Sequence, residues 1–231
     1  MVMARPAKSR KICYYPEITE FYPGIIKEES EYLTIDEYET IRLIDQMGFS
    51  QEESSGFMDV ARATIQRSYE NARRKISNAI IKGSPLNIEG GDVWICDGQS
   101  VKGCVNPECY KRYYHEKYKK ERKSNVLRIA IPFGEYGQVF QLFEGAENIR
   151  LYDVEGDKIV NVLEISLSER KDATLTGILN AVNADVLLCG AVSRRTQTVL
   201  SVIKVYTCCN ITGNADRALS DFLKNINSIC P

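Results

Sequence analysis

The stretch SQEESSGFMDVARATIQRSYENARRKISNAI, residues 50–80, decides the fold of the first part of the chain. It opens with Ser-Gln-Glu-Glu at residues 50–53, a capping box in which the Ser hydroxyl and the second Glu carboxylate satisfy unpaired amides at a helix start. The short helix that this predicts reaches about Met58. Asp59 and Val60 can then form a tight turn, because Asp tolerates the left-handed backbone conformation better than most residues. The stretch therefore predicts a short helix, a turn and a longer helix.

The longer helix has an apolar side and a basic side. Apolar residues recur at helical spacing and predict packing against the rest of the domain; they are Ile65, Tyr69, Ala72 and Ile76. Facing outward from the first turns we expect Arg62, Ala63, Gln66 and Arg67. In a helix-turn-helix protein this helix enters the major groove, where Arg bonds guanine and Gln bonds adenine. Farther along, near phosphates, we expect Arg73, Arg74 and Lys75. The alternative is a three-helix bundle with a solvated basic face.

Two further features precede this stretch. A wholly basic arm carries Arg5, Lys8, Arg10 and Lys11. A second capping box, Thr34 to Glu37, predicts a helix that continues to Gly48. We therefore predict an all-α helix-turn-helix domain over residues 1–90, with double-stranded DNA as its partner.

Residues 50–80 resemble the helix-turn-helix of sigma-factor region four. Together with MARPAKSRKICYYPEITEFYPG at residues 3–24 and LNIEGG at residues 86–91, they resemble an uncharacterised prokaryotic family of predicted DNA-binding proteins. This resemblance implies DNA binding and covers residues 3–91. The chain departs from the pattern at Ala61, where a Ser usually caps the recognition helix, and at Asp59, where the turn usually has Gly. The lost cap costs about 1 kcal/mol.

From Asn125 the pattern alternates between strands and helices, which indicates parallel pairing with helical crossovers. Strands are predicted at Val126–Pro132, Ile149–Val154, Lys158–Ile165, Ala184–Cys189 and Lys204–Cys208. Helices are predicted at Thr174–Val182, Ser193–Ile203 and Ala215–Ile226. Residues 125–231 are therefore expected to form an α/β domain with a five-stranded mixed sheet.

Three cysteines follow or end strands of this domain: Cys189, Cys208 and Cys209. Ligands of doubly wound sheets bind beyond the carboxyl ends of strands, so these thiols are expected near one crevice. Thiolates suit zinc, copper(I) or iron–sulfur clusters. The alternative is burial of cysteine as a small hydrophobic residue.

Residues 126–225 resemble the dinitrogenase iron–molybdenum cofactor biosynthesis family, the NifX-like domains. The motifs are LRIAIPF, IRLYDVEGDKI, ADVLLCGAVS and KVYTCCNITGNADRAL. The resemblance implies a ribonuclease-H-like fold that binds an iron-containing cluster or precursor. Where many members have His-Phe-Gly, this chain has Leu142-Phe143-Glu144, and the domain contains no His. Arg194 and Arg195, which replace a glycine-rich turn, could hold an anionic ligand or form a solvated helix face.

Between the two domains, residues 91–124 are interpreted as a linker or a small metal module. Four residues there have the donor types of a tetrahedral zinc site, or could hold a small iron–sulfur cluster: Cys96, Cys104, Cys109 and His115. Their spacing lacks the paired Cys-x2-Cys of typical zinc sites. The alternative is a solvated linker histidine.

Composition narrows the class of function. The chain has 231 residues, eight cysteines and no segment of 18 apolar residues, and its basic start is not followed by an apolar stretch. These features predict a cytoplasmic protein with reduced thiols and no membrane partner. No catalytic constellation is evident, so no enzyme is predicted. We predict a transcriptional regulator whose later domain senses a metal, iron–sulfur cluster or anion. A homodimer is compatible with paired DNA half-sites. The alternatives are an iron–sulfur or iron–molybdenum cluster carrier that uses its helical domain for protein contacts and, less favoured, a partner of RNA polymerase.

Overall fold

The computed structural model describes residues 9–26, 28–99, 109–118, 125–169 and 173–229. These residues form two compact units, the first ending at Cys96 and the second beginning at Asp97. The segment 91–124, interpreted above as a linker or module, therefore contributes described residues to both units. None of the described helices combines the length and apolar character that a membrane crossing requires.

Unit 1 combines helices with short strands. Its elements are β1 (Arg10–Ile12), β2 (Glu20–Phe21), β3 (Glu31–Leu33), α1 (Ile35–Ile41), a π-helical turn (Arg42–Gln46), α2 (Gln51–Met58), α3 (Arg62–Lys82), β4 (Leu86–Ile88) and β5 (Val93–Ile95). β1 pairs with β5 in parallel, and β4 lies between β2 and β3. The prediction of an all-α domain is wrong in this respect. Strands of two or three residues are too short to produce a readable alternation of apolar and polar residues.

The helices of unit 1 pack around a small apolar core. Its buried members are Cys13, Leu43, Phe57, Met58, Ile65 and Cys96. The π-helical turn directly continues α1 and ends before Gly48, whose φ is 74°. The predicted helix from Thr34 to Gly48 is therefore confirmed. This core holds α3 against α1 and α2, which fixes the side of α3 that remains outside.

Unit 2 is an α/β unit. Its elements are α4 (Tyr110–Tyr118), β6 (Val126–Phe133), β7 (Asn148–Glu155), β8 (Lys158–Ser166), α5 (Leu175–Ala181), β9 (Val186–Leu188), α6 (Arg194–Val202), β10 (Tyr206–Cys208) and α7 (Ala215–Ile229). The sheet order is β10-β9-β6-β7-β8. Pairing is parallel from β10 through β9 to β6 and antiparallel from β6 through β7 to β8. The five-stranded mixed sheet is confirmed, while the ribonuclease-H-like assignment stays a prediction.

Each face of this sheet covers a separate apolar core. One core contains Ala130, Leu187 and Cys189 from the sheet with residues of α4, α5 and α6. The other contains Ile129, Leu188 and α7 residues such as Phe222. Because successive strand residues point to opposite faces, neighbours in sequence such as Leu188 and Cys189 belong to different cores.

Helix α4 also covers part of the β8 edge. The hydroxyls of Tyr114 and Tyr118 donate hydrogen bonds to the carbonyls of Ser166 and Glu164, at 3.2 and 3.5 Å. Unpaired groups on an edge strand otherwise favour pairing with another chain. Helix α4, from the segment interpreted above as a linker or a small metal module, therefore covers part of this sheet edge.

Candidate functional site

The turn between α2 and α3 has the geometry that the sequence predicts. Ser50 and Glu53 form the capping box, with Glu53 accepting from the Ser50 N–H at 2.8 Å and donating its own N–H to the Ser50 hydroxyl at 3.2 Å. Asp59 ends α2 in the left-handed conformation, with φ 56° and ψ 44°. Ala61 precedes α3 in an extended conformation and provides no side-chain cap. The first amides of α3 therefore lack the hydroxyl that a Ser at this position would offer.

Helix α3 buries one side along its length. Its buried residues are Ile65, Ser68, Ala72 and Ala79. The predicted apolar stripe is confirmed at Ile65 and Ala72, whereas Tyr69 and Ile76 are only half-buried. The Tyr69 hydroxyl donates to Asp45 at 2.6 Å. That hydrogen bond to the carboxylate raises the pKa of Tyr69 above its ordinary value.

The first two turns of α3 expose the predicted base-reading set: Arg62, Ala63, Gln66 and Arg67. Gln66 donates to Glu70 at 3.1 Å, and Arg62 lies 4.0 Å from Glu52. Both are surface contacts between long side chains, which contribute little to stability and are readily exchanged for a ligand. These side chains are therefore available to a partner on this face.

The three basic residues farther along α3 differ from one another. Arg73 is exposed and packs its guanidinium over the Tyr69 ring at 5.3 Å, and exposed Arg74 donates to Asn71 at 2.9 Å. Lys75 is half-buried, with its ammonium 2.7 Å from Oε2 of Glu37. The Glu37 carboxylate of α1 thus pairs with Lys75 in the free protein, and the contact of Lys75 with phosphate alongside Arg73 and Arg74 stays a prediction.

Arg10 lies beside the start of α3, which the sequence alone did not indicate. Its backbone N–H donates to the Asp92 carbonyl at 2.8 Å, and its guanidinium donates to the buried Asp36 carboxylate at 2.8 Å. It lines a cavity of about 400 Å³ with Ala63 and Arg67 and a second cavity of about 570 Å³ at the α2–α3 turn. Arg10, one of the basic residues near the start of the chain, therefore lies next to the exposed end of α3.

In unit 2, the loops after β6, β9 and β10 meet at the carboxyl edge of the parallel strands. The Ala191 N–H donates to the Gln141 carbonyl at 2.7 Å, and the Asn210 N–H donates to the Gly190 carbonyl at 2.7 Å. A Cβ at position 190 would lie only 2.3 Å from the Gln141 carbonyl oxygen. Glycine at position 190 therefore permits this close approach of two backbones.

The three predicted thiols lie near one another at this edge but differ in burial and packing. Cys189 is fully buried among residues covered by α5 and α6, and the exposed Cys209 lies beside it. Cys208 packs instead with the core under α7. Strand alternation explains the difference, since Cys208 pairs with Leu188 and shares its face. The three thiols therefore have different surroundings, and their joint role as ligands stays a prediction.

Cys189 has an inert thiol and Cys209 an accessible one. Burial raises the pKa of the Cys189 thiol to about 12, and the neighbouring Cys209 thiol adds to the rise. Cys209 and Cys208 also line a groove of about 450 Å³ against the α7 residues Asp221 and Phe222. Cys209 is thus accessible to solvent and Cys189 is not.

The start of α6 already holds an acidic group of the chain itself. Glu144 accepts from the Ser193 N–H at 2.8 Å. Partial burial raises the pKa of Glu144, but hydrogen bonds from Thr196 and Ser193 outweigh burial and lower that pKa below its ordinary value. Arg194 and Arg195 are exposed in the first turn of the same helix. The sequence marked Glu144 as a departure from the family pattern but not as the carboxylate at this helix start.

The cysteines and histidine of the middle segment belong to separate surroundings. Cys96 is fully buried in the core of unit 1, and Cys109 is buried in unit 2. Nδ1 of His115 lies 3.1 Å from the Ala181 carbonyl oxygen. Cys104 lies outside the described residues, so the four-ligand zinc or cluster site stays a prediction. Within the described ranges, no three His, Cys, Asp or Glu side chains are grouped closely enough to hold a metal ion.

Comparison with protein families assigns the two parts of the chain separately. Residues 1–96 match the family described as Protein of unknown function DUF134. Residues 125–225 match the family described as Dinitrogenase iron-molybdenum cofactor. The resemblance of the later part to that second family is thereby confirmed.

Individual relatives match the first part closely. A UPF0251 protein of Desulfitobacterium hafniense is 47% identical over 113 residues, which are 48% of this chain and 89% of that protein. A UPF0251 protein of Halothermothrix orenii is 50% identical over 39% of this chain and 69% of that protein. Among solved structures, the apo form of the orange protein from Desulfovibrio gigas is 16% identical with a TM-score of 0.35, over 46% of this chain and 91% of that protein. By its matches to the curated relatives, the chain belongs to the UPF0251 family.

Proposed function

We propose that this protein is a DNA-binding regulator in which α3 enters the major groove. The observation that carries the proposal is the outward face of the first two turns of α3, where Arg62, Gln66 and Arg67 are exposed on a helix anchored from behind. Guanidinium and amide groups at such positions match the hydrogen-bonding edges of guanine and adenine. The proposal assigns a binding role, and no catalytic reaction, to both units.

The remaining basic groups of unit 1 are given supporting roles. Arg73 and Arg74 lie one to two turns farther along the helix and would contact phosphates, which strengthens binding without selecting sequence. The basic arm that contains Arg10 would follow the same duplex. Lys75 is left out of this set because its partner is Glu37.

Unit 2 is proposed to bind a metal-containing ligand that changes the affinity of unit 1 for DNA. Two features support this assignment: the neighbouring thiols at the carboxyl edge of the sheet and the family match over residues 125–225, whose description names an iron-molybdenum cofactor. The carboxyl edge of parallel strands is where open α/β sheets bind their ligands. Iron, copper and zinc all accept thiolate ligands.

The test begins with selection of genomic DNA fragments by the purified protein, without oxygen and at two salt concentrations. Affinity for an enriched fragment is then measured for the parent, Arg62→Ala and Arg67→Ala. Each substitution is expected to weaken specific binding roughly 10- to 100-fold, as loss of a bidentate base contact does. Lys82→Ala, at the far end of the same helix, is the matched control and should change affinity little. Parent-like specific binding by both Arg variants would refute the role of α3.

A second candidate function is favoured by the family match of unit 2 alone: a carrier of an iron-containing cluster. The described residues place three thiols near one another, those of Cys189, Cys208 and Cys209, fewer than the four that iron–sulfur clusters usually require. A carrier would therefore need further ligands, from a second copy or from cysteines outside the described residues. Iron and sulfide in anaerobically purified protein, with no enrichment of any DNA sequence, would favour the carrier over the regulator.

A further inference from the structure

Large apolar side chains are exposed in two segments of unit 1. The first segment is EITEFYPGII at residues 17–26, which contains β2. About half or more of each of its large apolar residues is exposed; they are Ile18, Phe21, Tyr22, Ile25 and Ile26. The second segment is the last turn of α3, where Ile80 is 76% exposed and Ile81 is 82% exposed. In water these side chains add no burial energy to the fold of the unit.

The short sheet brings the two segments to one end of the unit. Helix α3 ends at Lys82, and β4 begins only three residues later, after Pro85. β4 pairs with β2 in antiparallel, with Leu86 opposite Phe21. The strand of the first segment therefore lies beside the residue that follows the turn at the end of α3. The seven exposed side chains are called the apolar patch below.

The apolar patch is large for the surface of a monomer. Taking about 150 Å² for a fully exposed large side chain, its seven members present on the order of 700 Å² at their exposed fractions. The largest apolar patch of a typical monomer is about 300–600 Å². A standard interface buries about 800 Å² on each partner. The apolar patch is therefore close to the size that a stable protein–protein interface needs.

The chemistry and the position of the apolar patch suit a protein partner and not the duplex. Within residues 17–26 the charged side chains are Glu17 and Glu20, both exposed and both of the sign that phosphate repels. Along α3, the patch residue Ile80 lies about 27 Å from Arg62, at a rise of about 1.5 Å per residue. A partner bound at the apolar patch would thus leave the proposed base-reading turns accessible.

We infer that the apolar patch binds the same patch on a second copy of this chain. In a two-fold interface each partner presents the same residues, so an apolar surface of this size is its own complement. Two such surfaces in contact supply the area of a standard interface without any further component. Self-association needs no DNA, so the inference goes beyond the proposed function and does not depend on it.

The resulting dimer is compatible with two DNA half-sites. Each α3 helix would begin about 27 Å from the contact at its far end, so the two starts can lie as far apart as one helical turn of DNA when the helices meet at an angle. Half-sites on one side of a duplex are about 34 Å apart. This agreement alone rests on the proposed role of α3.

The test is sedimentation of the reduced, full-length protein without DNA, over a hundredfold range of concentration up to about 100 μM. The parent is expected to reach twice its chain mass of 26.2 kDa. Ile80→Lys combined with Ile81→Lys would place like charges across the two-fold axis and should raise the dissociation constant roughly 100-fold. Ile25→Lys, in the other segment, should also weaken the dimer. Val160→Lys is the matched control, because this exposed apolar residue lies on β8 of unit 2.

Circular dichroism of the same samples separates lost assembly from lost folding. Ile80 and Ile81 are exposed and Lys is favourable at a helix end, so the spectrum of their double variant should match that of the parent. A monomeric parent at the highest concentration would overturn the inference, as would a parent-like dimer in either patch variant or equal weakening in Val160→Lys.

DNA binding is scored separately on the same proteins. Arg62→Ala should remain a dimer whether or not it binds DNA, because its substitution lies at the opposite end of α3. A monomeric parent that still binds a selected DNA sequence would refute the dimer alone. A dimeric parent that selects no DNA sequence would refute the regulator and leave the dimer standing.

Discussion

The Glu37 carboxylate joins two helices of unit 1 through its contact with Lys75. Its Oε2 lies 2.7 Å from the Lys75 ammonium on α3 and also accepts the Thr34 N–H at 2.9 Å, at the start of α1. The Lys75 side chain is 27% exposed and that of Glu37 only 9% exposed, so water screens the pair less than a surface pair. The contact therefore adds to the packing that holds α3, whose outward face bears Arg67, against α1.

Replacing Lys75 should therefore weaken the fold more than it weakens phosphate contacts. For Lys75→Ala we expect the free energy of unfolding to fall by roughly 1 kcal/mol, since a partly buried pair is worth somewhat more than an exposed one. Exposed Arg74→Ala is the matched control on the same helix and should lower DNA affinity while changing stability by less than about 0.5 kcal/mol. Urea unfolding and DNA titration separate the two variants. A stable Lys75→Ala protein with a reduced salt dependence of DNA binding would show instead that Lys75 contacts phosphate.

The uncapped start of α3 offers a substitution that should stabilise the protein. Ala61 has the extended backbone of an N-cap residue but no side-chain acceptor. Ala61→Ser is expected to raise the free energy of unfolding by about 1 kcal/mol, because the new hydroxyl can accept an amide of the first turn. Ala63→Ser places the same residue inside the first turn and should bring no such gain. Equal stabilities of the two Ser variants in thermal unfolding would refute this account of the α3 start.

The basic arm should contribute a second, sequence-independent contact with DNA. Arg10 lies beside the first turn of α3, next to the proposed groove contact. Removing residues 1–8 deletes Arg5 and Lys8. If both neutralise phosphates, the slope of log affinity against log salt should become shallower by roughly 2, with stability unchanged. An unchanged slope would mean that the arm lies away from the duplex.

Much of the fold could be predicted from the sequence where apolar residues recur regularly over a long segment and clear signals mark the start and end of the helix or strand. The predicted strand Val126–Pro132 corresponds to β6, and the predicted helix Ser193–Ile203 contains α6. The left-handed turn at Asp59 is also confirmed. Such features depend on neighbours within a few residues. The short strands of unit 1 depend on partners far along the chain, such as Arg10 with Val93, and could not be predicted from local pattern.

The sites were less predictable, because they depend on tertiary partners and on strand alternation. Lys75 has the spacing of a solvent-facing residue, yet its partner Glu37 lies 38 positions earlier. Adjacent cysteines at 208 and 209 look equivalent in sequence. Cys208 ends β10 and packs in the core under α7, whereas Cys209 lies just beyond the strand and is exposed, a difference that requires knowledge of where β10 ends.

The raised pKa of Cys189 predicts a loss of stability at alkaline pH. Its ordinary value is 9.0, and burial raises it to about 12 in the folded state, with Cys209, Glu144 and Cys208 contributing. Between these values the unfolded chain has released the proton and the folded chain has kept it. The contribution of Cys189 to the free energy of unfolding is therefore complete below about pH 9. It is lost as the pH rises through the pKa of Cys189 in the folded state. Urea unfolding across this pH range should show that the free energy of unfolding declines more steeply with pH in the parent than in Cys189→Ala. The slopes are compared, and not the absolute stabilities, because that variant also leaves a small cavity. Equal slopes would contradict a protonated, buried Cys189.

Gly190 should be essential to the edge that carries the three thiols. A methyl group there would meet the carbonyl oxygen and Cα of Gln141 at 2.3 and 2.8 Å, and neither atom can turn away as a side chain could. The hydrogen bond from the Ala191 N–H to that carbonyl, now 2.7 Å, would have to lengthen. For Gly190→Ala we expect the free energy of unfolding to fall by roughly 1–3 kcal/mol, as for other overpacked positions.

Gly56→Ala is the matched control, because a Cβ at this position in α2 meets nothing within 4 Å and should stabilise the helix by about 1 kcal/mol. The stability of both variants is measured by calorimetric unfolding. A Gly190→Ala protein as stable as the parent would show that the loops bearing Gly190 and Gln141 can move apart without loss of stability.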